Sequence, residues 1–279
     1  MSAPALTSSG TPGDSPHERL AFYISQLCAE LDSPSCNATE KARQLARQAR
    51  DVIEGYDPYV ERMSSPHPPI IDTMFEEGYK CDWEALHREG KTMYRLIPEM
   101  SAGPYEGVVL QQLAKLTQVR TVLEIGMFTG TTTVSLALLP QIKKLVSLEL
   151  EAYLKEHNTP FFEQANVSHK IDIRIGDALT SLDKLAQEGA TFDMVFIDAD
   201  KGNYVNYFKK VIDSNLLTEH GFIVADNTAY KGGPWAPDAS YSQAPAIDAF
   251  NRAVREHPGV EVVMLPIRDG ISIIRRKTG

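Results

Sequence analysis

The chain has 279 residues, of which 43% are hydrophobic and 23% charged, with a formal net charge of -9 and a pI near 5.3. That length suits one substantial α/β domain with an extra segment, or two small domains, and the acidic balance argues against nucleic acid as the main partner. No stretch approaches the ~20 apolar residues of a membrane span. Residues 1–16 are rich in Ser, Gly and Pro and have neither a basic start nor an apolar run, so a disordered tail is expected there rather than a signal peptide. The three cysteines, Cys28, Cys36 and Cys81, match no zinc spacing; their odd number suits a reducing compartment, and the expected location is the cytoplasm.

Taken in chain order, residues 17–31 place Leu20, Ile24, Leu27 and Leu31 three or four apart, which predicts an amphipathic helix. Residues 38–53, rich in Ala, Arg, Gln and Leu, predict a second. The stretch from Gly55 to Pro69, with its Asp-Pro, Ser-Pro and His-Pro-Pro steps, reads as loop. A short helix is expected over 83–90 and another within 100–117, starting near Pro104. From Thr121 the pattern alternates. Strands are expected at 121–125, 144–149, 171–175, 193–197 and 220–225, with helices at 129–140, 152–165, 178–188 and 203–214 between them. Such alternation means βαβ units and a parallel sheet. After a helix near 244–256, strands 259–265 and 270–276 are separated only by a short turn carrying Asp269-Gly270, a hairpin signal. The expected architecture is therefore a Rossmann-like α/β fold: a seven-stranded, mostly parallel sheet ending in an antiparallel hairpin. A helical extension over 17–95 precedes a catalytic domain over 96–279.

Chemistry concentrates where apolar strands end. Phe196-Ile-Asp-Ala-Asp-Lys201 and Asp226-Asn227 each follow a run of Val, Ile, Phe and Met, the pattern of a buried parallel strand delivering polar groups to its carboxyl end. Asp198, Asp226 and Asn227 are three hard oxygen donors suited to a Mg2+-like cation. Asp is also a good helix N-cap, which would explain one aspartate but not the apolar strand feeding Asp198 and Asp200 together. One of these two is expected to bind metal and the other to sit nearer a cofactor. Lys201 is a candidate base whose pKa a neighbouring cation would depress; a surface lysine is the bland alternative. Gly126 and Gly130 follow the first strand and open a helix through Thr131-Thr132-Thr133, so the backbone there can approach a ligand closely. The loop has neither Gly-Lys-Ser/Thr nor G-x-G-x-x-G spacing. Glu149, 23 residues after Gly126 at the end of the second strand, is placed to take ribose hydroxyls, and Gly176-Asp177-Ala178 follows the third.

Glu124-Ile-Gly-Met-Phe-Thr-Gly130, Phe196 to Tyr204, Ala225-Asp-Asn-Thr228 and Met100-Ser-Ala-Gly-Pro-Tyr-Glu-Gly107 together resemble the cation-dependent class I O-methyltransferases, the group of caffeoyl-CoA and catechol O-methyltransferases. The likeness covers about residues 95–276. It implies S-adenosylmethionine as cofactor, with Met100, Glu124, Gly126, Thr132, Glu149, Asp177, Ala178, Asp198 and Asp200 in contact with it. It implies Mg2+, or Mn2+ or Ca2+, on Asp198, Asp226 and Asn227, Lys201 as base, a small vicinal diol as acceptor, and a homodimer. Asp57-Pro-Tyr59, Cys81-Asp-Trp83 and Leu265 to Ile271 look most like the mycosporine-pathway subgroup that forms 4-deoxygadusol, whose acceptor is a cyclic polyhydroxy enone. Two features depart from the pattern: Glu151, where many members have Asp, and the segment 232–238, which is expected to shape the acceptor pocket. Competing readings are a nucleotide-dependent oxidoreductase, disfavoured by the missing G-x-G-x-x-G, and a module that binds S-adenosylmethionine without turnover, which would not need Lys201. A metal-dependent phosphohydrolase would need more ligands than one Asp pair supplies.

Overall fold

A computed structural model describes residues 13–277; most of the tail expected over 1–16 lies outside the described residues. Within the tail's range, Ser15 caps the first helix, its Oγ accepting from the Glu18 N–H at 3.2 Å. The N-terminal region contains four α-helices: α1 (Pro16–Asp32), α2 (Glu40–Arg62), α3 (Ile70–Lys80) and α4 (Trp83–Arg88). Two of them correct the sequence reading. Helix α2 continues through Gly55 and carries Pro58 in its interior, so 55–62 is helix and not loop. An internal proline costs ~3 kcal/mol relative to alanine, and tertiary contacts offset it here. The His17 ring packs edge-on against Tyr56 at 4.6 Å, and Asp57 and Glu61 face Arg268 at 4.0 and 3.9 Å. Helix α3 was not anticipated, although Ile71, Met74 and Gly78 are buried at three- and four-residue spacing; the proline-rich run before it hid the period.

The remainder alternates as expected: α5 (Pro104–Leu116), β1 (Thr121–Ile125), α6 (Thr131–Ala137), β2 (Lys144–Glu149), α7 (Ala152–Gln164), β3 (Ile171–Ile175), α8 (Ala178–Gln187), β4 (Phe192–Ile197), α9 (Tyr204–Asp213), β5 (Leu217–Ala225), α10 (Ala244–Glu256), β6 (Val260–Leu265) and β7 (Ile271–Arg276). The seven strands lie in the order β3-β2-β1-β4-β5-β7-β6. β1 to β5 are parallel, and β7 is inserted antiparallel between β5 and β6. This is the Rossmann-like architecture expected from the sequence, a seven-stranded, mostly parallel sheet ending in an antiparallel hairpin. Among the described residues no helix is long and apolar enough to cross a membrane.

Side-chain alternation sorts the strands onto two cores. Leu123, Ile125, Val195, Ile197, Ile223 and Ala225 pack under Leu182, Tyr204, Phe208 and Phe250 of α8, α9 and α10. Val122, Leu145, Met194, Phe196, Phe222 and Val224 pack against Leu110 and Leu136 of α5 and α6. Carrying that two-residue period one step past the strand ends puts Asp198 and Asp226 on the α5 side. Glu124, Ser147 and Glu149 belong to the same face by the same count.

Candidate active site

The order of strands reverses between β1 and β4, and ligands of open α/β sheets bind beyond the carboxyl ends of the strands at such a point. A cavity of about 940 Å3 opens there. It is bounded on the β2 and β3 side by Glu149, Asp177 and Ala178, and in the middle by Gly126 and Thr132. Asp198, Asp200 and Lys201 follow at the end of β4, with Asp226 and Asn227 at the end of β5 and Met100 on the near wall. Glu124 is the exception among the expected residues. It is fully buried beneath the glycine loop and does not line the cavity; its Oε2 accepts from Thr133 Oγ1 at 2.6 Å and from Ser147 Oγ. Burial pushes its carboxyl up to about 8, against the opposing pull of those two hydroxyls.

The glycine loop is shaped by close approach. Gly126 has φ of 94°, and a Cβ there would overlap the carbonyl oxygen of Asp198, so the turns after β1 and β4 touch backbone to backbone. Gly130 caps α6 in the left-handed region, where a Cβ would meet the Phe162 ring at 2.9 Å. Glu149, 8% exposed, accepts from the N–H groups of Met127 at 3.1 Å, Phe128 at 2.9 Å and Glu151 at 2.9 Å. It therefore pins the loop as well as facing the cavity, a second role that the sequence reading did not assign. Asp177 caps α8, accepting from the Thr180 N–H at 2.7 Å, and that bond lowers its pKa.

At the other end, Lys201 Nζ donates to Asp198 Oδ1 at 2.9 Å and to the Tyr204 hydroxyl at 2.8 Å. Burial alone would lower the Lys201 ammonium, but Asp198, Tyr204 and Asp226 outweigh it and hold its pKa well above the usual lysine range. Lys201 is thus paired as a counter-ion to Asp198; the depression expected at Lys201 is one that a bound cation would supply. Asp200 is turned away from that pair and held by Asn203 Nδ2 at 2.7 Å and by the Tyr207 hydroxyl. Burial and repulsion from Asp198 push Asp226 up to about 7.

Glu106 of α5 completes this corner. It is 3% exposed and lines the cavity with Asp226, and its Oε1 has no partner. Burial, and then the charges of Asp226 and Asp198, raise its pKa well above the carboxylate range. Among the described residues no three His, Cys, Asp or Glu side chains converge into a ready-made cage; the oxygen set needs the Asn227 carboxamide. An all-oxygen corner with one orphaned buried carboxyl oxygen and excess negative charge fits a hard divalent cation.

The loop from Pro266 to Gly270 braces this corner from beyond the sheet. Thr228 and Ala229 donate their N–H groups to the carbonyls of Gly270 at 2.9 Å and Asp269 at 2.8 Å. Arg268 lines the cavity within 3.3 Å of Glu18 on α1, which ties the N-terminal helices to the site.

A family model described as O-methyltransferase matches residues 81–277. The chain belongs to the O-methyltransferase family. It is 36% identical to caffeoyl-CoA O-methyltransferase 5 of Nicotiana tabacum over 230 residues, spanning 76% of this chain and 95% of that protein. It is 37% identical to a caffeoyl-CoA O-methyltransferase of Petroselinum crispum over 188 residues, spanning 63% and 77%. Its fold matches the SAH-bound methyltransferase PaMTH1 of Podospora anserina with a TM-score of 0.69 at 21% identity, over 82% of this chain and 96% of that one. An O-methyltransferase from Bacillus cereus in complex with SAH gives 0.65 at 24%, over 80% and 97%.

Two features of this O-methyltransferase's site escaped sequence reasoning, and one expectation is corrected. Glu106 stands inside the Met100–Gly107 stretch; a glutamate on the buried face of a helix beside Val108, Leu110 and Gln111 was the available signal. Tyr204 and Tyr207 reach Lys201 and Asp200 from the first residue and the first turn of α9, a contact that helix spacing permits but does not announce. Of the segment 232–238, no residue lines the cavity; the preceding Tyr230 and Lys231 do. Trp235 is 64% exposed, so the pocket-shaping role expected of 232–238 is corrected: the segment lies off the cavity wall.

Proposed function

We propose that this O-methyltransferase uses S-adenosylmethionine and a divalent cation to methylate one hydroxyl of a small vicinal diol. The observation that supports it is the single cavity that carries Gly126, Glu149 and Asp177 at one end and Lys201, Asp198, Asp226 and Asn227 at the other. The cofactor supplies an electrophilic methyl group. The cation, when bound, supplies positive charge that acidifies two neighbouring acceptor oxygens. Asp198, Asp226 and Asn227 would hold it, with Glu106 beside them.

The chain's own residues do the rest. The Gly126 loop and Glu149 orient the cofactor, and the helix N-terminus at Thr131–Thr132 offers N–H groups to its carboxylate end. Lys201 takes the acceptor proton at Nζ, which requires that the ammonium first release its own proton to solvent and leave Asp198. Asp200 stays with Tyr207 and Asn203 on the cofactor side. Holding acceptor oxygen and methyl group in line supplies much of the acceleration.

The acceptor class is a diol, phenolic or cyclic enone. The resemblance at 57–59, 81–83 and 265–271 favours the cyclic polyhydroxy enone, and of these segments Arg268 and Asp269 line the cavity. A homodimer is the assembly that the resemblance implies, readable by sedimentation. Mass spectrometry of products from catechols, flavonoids, caffeoyl-CoA and demethyl-4-deoxygadusol, with labelled cofactor and Mg2+, tests the reading. Label on one oxygen of a vicinal diol is expected; transfer to none of them, or equal transfer to mono-hydroxylated controls, overturns it.

A further inference from the structure

The residue before α7 does something unusual for its position. Glu151 is the N-cap of that helix, yet its side chain makes no bond to the helix's own N–H groups, the service that a short Ser, Thr, Asp or Asn cap performs. Instead the longer side chain reaches across to the chain segment that follows α4. Its Oε2 accepts from the Met93 N–H at 2.8 Å and its Oε1 from the Tyr94 N–H at 2.8 Å. Glu151 is 4% exposed. Both oxygens are thus committed to two consecutive backbone amides of a segment outside regular secondary structure.

That segment matters because of what it borders. Met93 to Ile97 lines the cavity, and the bonds of Met93 and Tyr94 to Glu151 place this segment beside Glu149 and Leu150 at the end of β2. Met93 and Tyr94 border the cavity while remaining 66% and 59% exposed. Large apolar and aromatic side chains in that setting offer a flat surface to a purine or ribose. The anchor is also linked to the glycine loop. The Glu151 N–H donates to Glu149, which holds Met127 and Phe128, so strap, strand end and loop share one hydrogen-bonded chain.

We propose that Glu151 is a positioning residue for cofactor retention: it fixes the 93–97 strap over the adenosine end of the cavity, so that Met93 and Tyr94 cover the bound cofactor. The inference rests on the S-adenosylmethionine reading. A carboxylate suits the task because it accepts two N–H donors at once with a fixed spacing. A glutamine in its place offers one acceptor oxygen and turns an NH2 group toward the second amide. An aspartate is one methylene shorter and returns to capping α7.

The test uses the full chain with S-adenosylhomocysteine as probe, measured by calorimetry and stopped-flow release for wild type, Glu151→Gln and Glu151→Asp. Release is expected to accelerate about tenfold or more in both variants, since losing one charged hydrogen bond is worth roughly a factor of ten. The loss should appear in the cofactor's KM rather than in kcat. A merely structural Glu151 would lower the melting temperature and leave release rates alone, and that result overturns the proposal. Hydrogen exchange on wild type provides the reading that needs no variant: the 93 and 94 amides should slow when the probe binds, and unchanged exchange overturns it. If wild type does not bind the probe at all, the cofactor reading fails and this inference falls with it; binding by wild type with variants unaffected removes the inference alone.

Discussion

Lys201 Nζ lies 2.9 Å from Asp198 Oδ1 and 2.8 Å from the Tyr204 hydroxyl, with both charged side chains mostly buried. The lysine that would act as base is thus locked as an ammonium ion by the aspartate that would hold the metal. With Lys201 as the proposed base, this pair would have to separate before the acceptor proton moves, and the two proposed roles would compete for one carboxylate.

From that competition follows the behaviour of Lys201→Ala. The variant should bind cofactor nearly normally and lose most of kcat, about 10^2–10^4-fold, the usual contribution of a positioned general base. Its cation affinity should rise, because Asp198 is released. Lys201→Arg should not rescue, since guanidinium stays protonated. The pH–rate profile checks it: the wild-type rate should climb with pH as the ammonium is lost, and flat, equal profiles for wild type and Lys201→Ala would remove Lys201 from the mechanism.

Asp226 makes an opposite pair of expectations. Asp198, Asp226 and Glu106 crowd negative charge into a buried corner, pushing Asp226 up to about 7. Asp226→Asn should therefore leave the metal-stripped protein as stable as wild type or more so, while abolishing the rise in melting temperature that Mg2+ gives wild type. Methyl transfer in wild type should vanish with a chelator and return with Mg2+. Full activity after thorough stripping, or an undiminished Mg2+ effect in Asp226→Asn, would remove this residue from the cation site.

Glu149 carries two duties, so its substitutions should separate. Glu149→Gln keeps a carbonyl oxygen for the loop amides and should mainly lose cofactor affinity, about 1.5–3 kcal/mol for each charged hydrogen bond forfeited. Glu149→Ala abandons the N–H groups of Met127, Phe128 and Glu151 as well and should also lower the melting temperature. Calorimetry with S-adenosylmethionine and thermal unfolding, run on both variants, distinguish the two contributions. Unchanged affinity in Glu149→Gln would leave Glu149 with the structural duty alone.

How much of this was readable beforehand depends on the range of the interaction. The strands of the parallel sheet and the loop residues at their ends were legible, because apolar runs broken by Asp, Asn or Gly are local signals. The antiparallel hairpin of β6 and β7 was announced by Asp269-Gly270, but the insertion of β7 between β5 and β6 was not, since register between distant strands leaves no local mark. Helix α2 was cut short at Gly55 because Pro58 argues for a break, and only the packing of Tyr56 on His17 and of Asp57 and Glu61 near Arg268 explains its continuation. Glu106 left only the weak signal of a glutamate on an apolar helix face, and the bonds of Glu151 left none, because the residues they meet, Asp226 and the 93–94 amides, are far away in sequence. The reach of Glu124 failed in the other direction, since a strand residue pointing to the α5 side ends beneath the loop rather than in the cavity.

Glu124 yields the last expectation. Its carboxyl is fully buried, one oxygen bound by Thr133 and Ser147 and the other, Oε1, without a partner. Burial raises its pKa from 4.5 to about 8 in the folded chain. The folded state therefore binds the proton more tightly than the unfolded state between those values. The stabilisation is present in full below pH 4.5 and is lost as pH rises toward 8, at about 1.4 kcal/mol per pH decade. Glu124→Gln removes the ionisation while keeping the size and an acceptor for the two hydroxyls. Near pH 5 the two proteins should be of similar stability, because the protonated carboxyl and the carboxamide each leave a donor unpartnered at the Oε1 position. By pH 9 the variant should be the more stable, because wild type must then carry a buried charge. Other buried acids, Asp226 and Glu106 among them, also slope the wild-type curve, so the quantity to measure is the difference between the two proteins. Urea unfolding at pH 5, 7 and 9 supplies it. Parallel curves across that range would mean that Glu124 is ionised throughout in the folded chain, and the apolar setting assigned to it beneath the glycine loop would have to be abandoned.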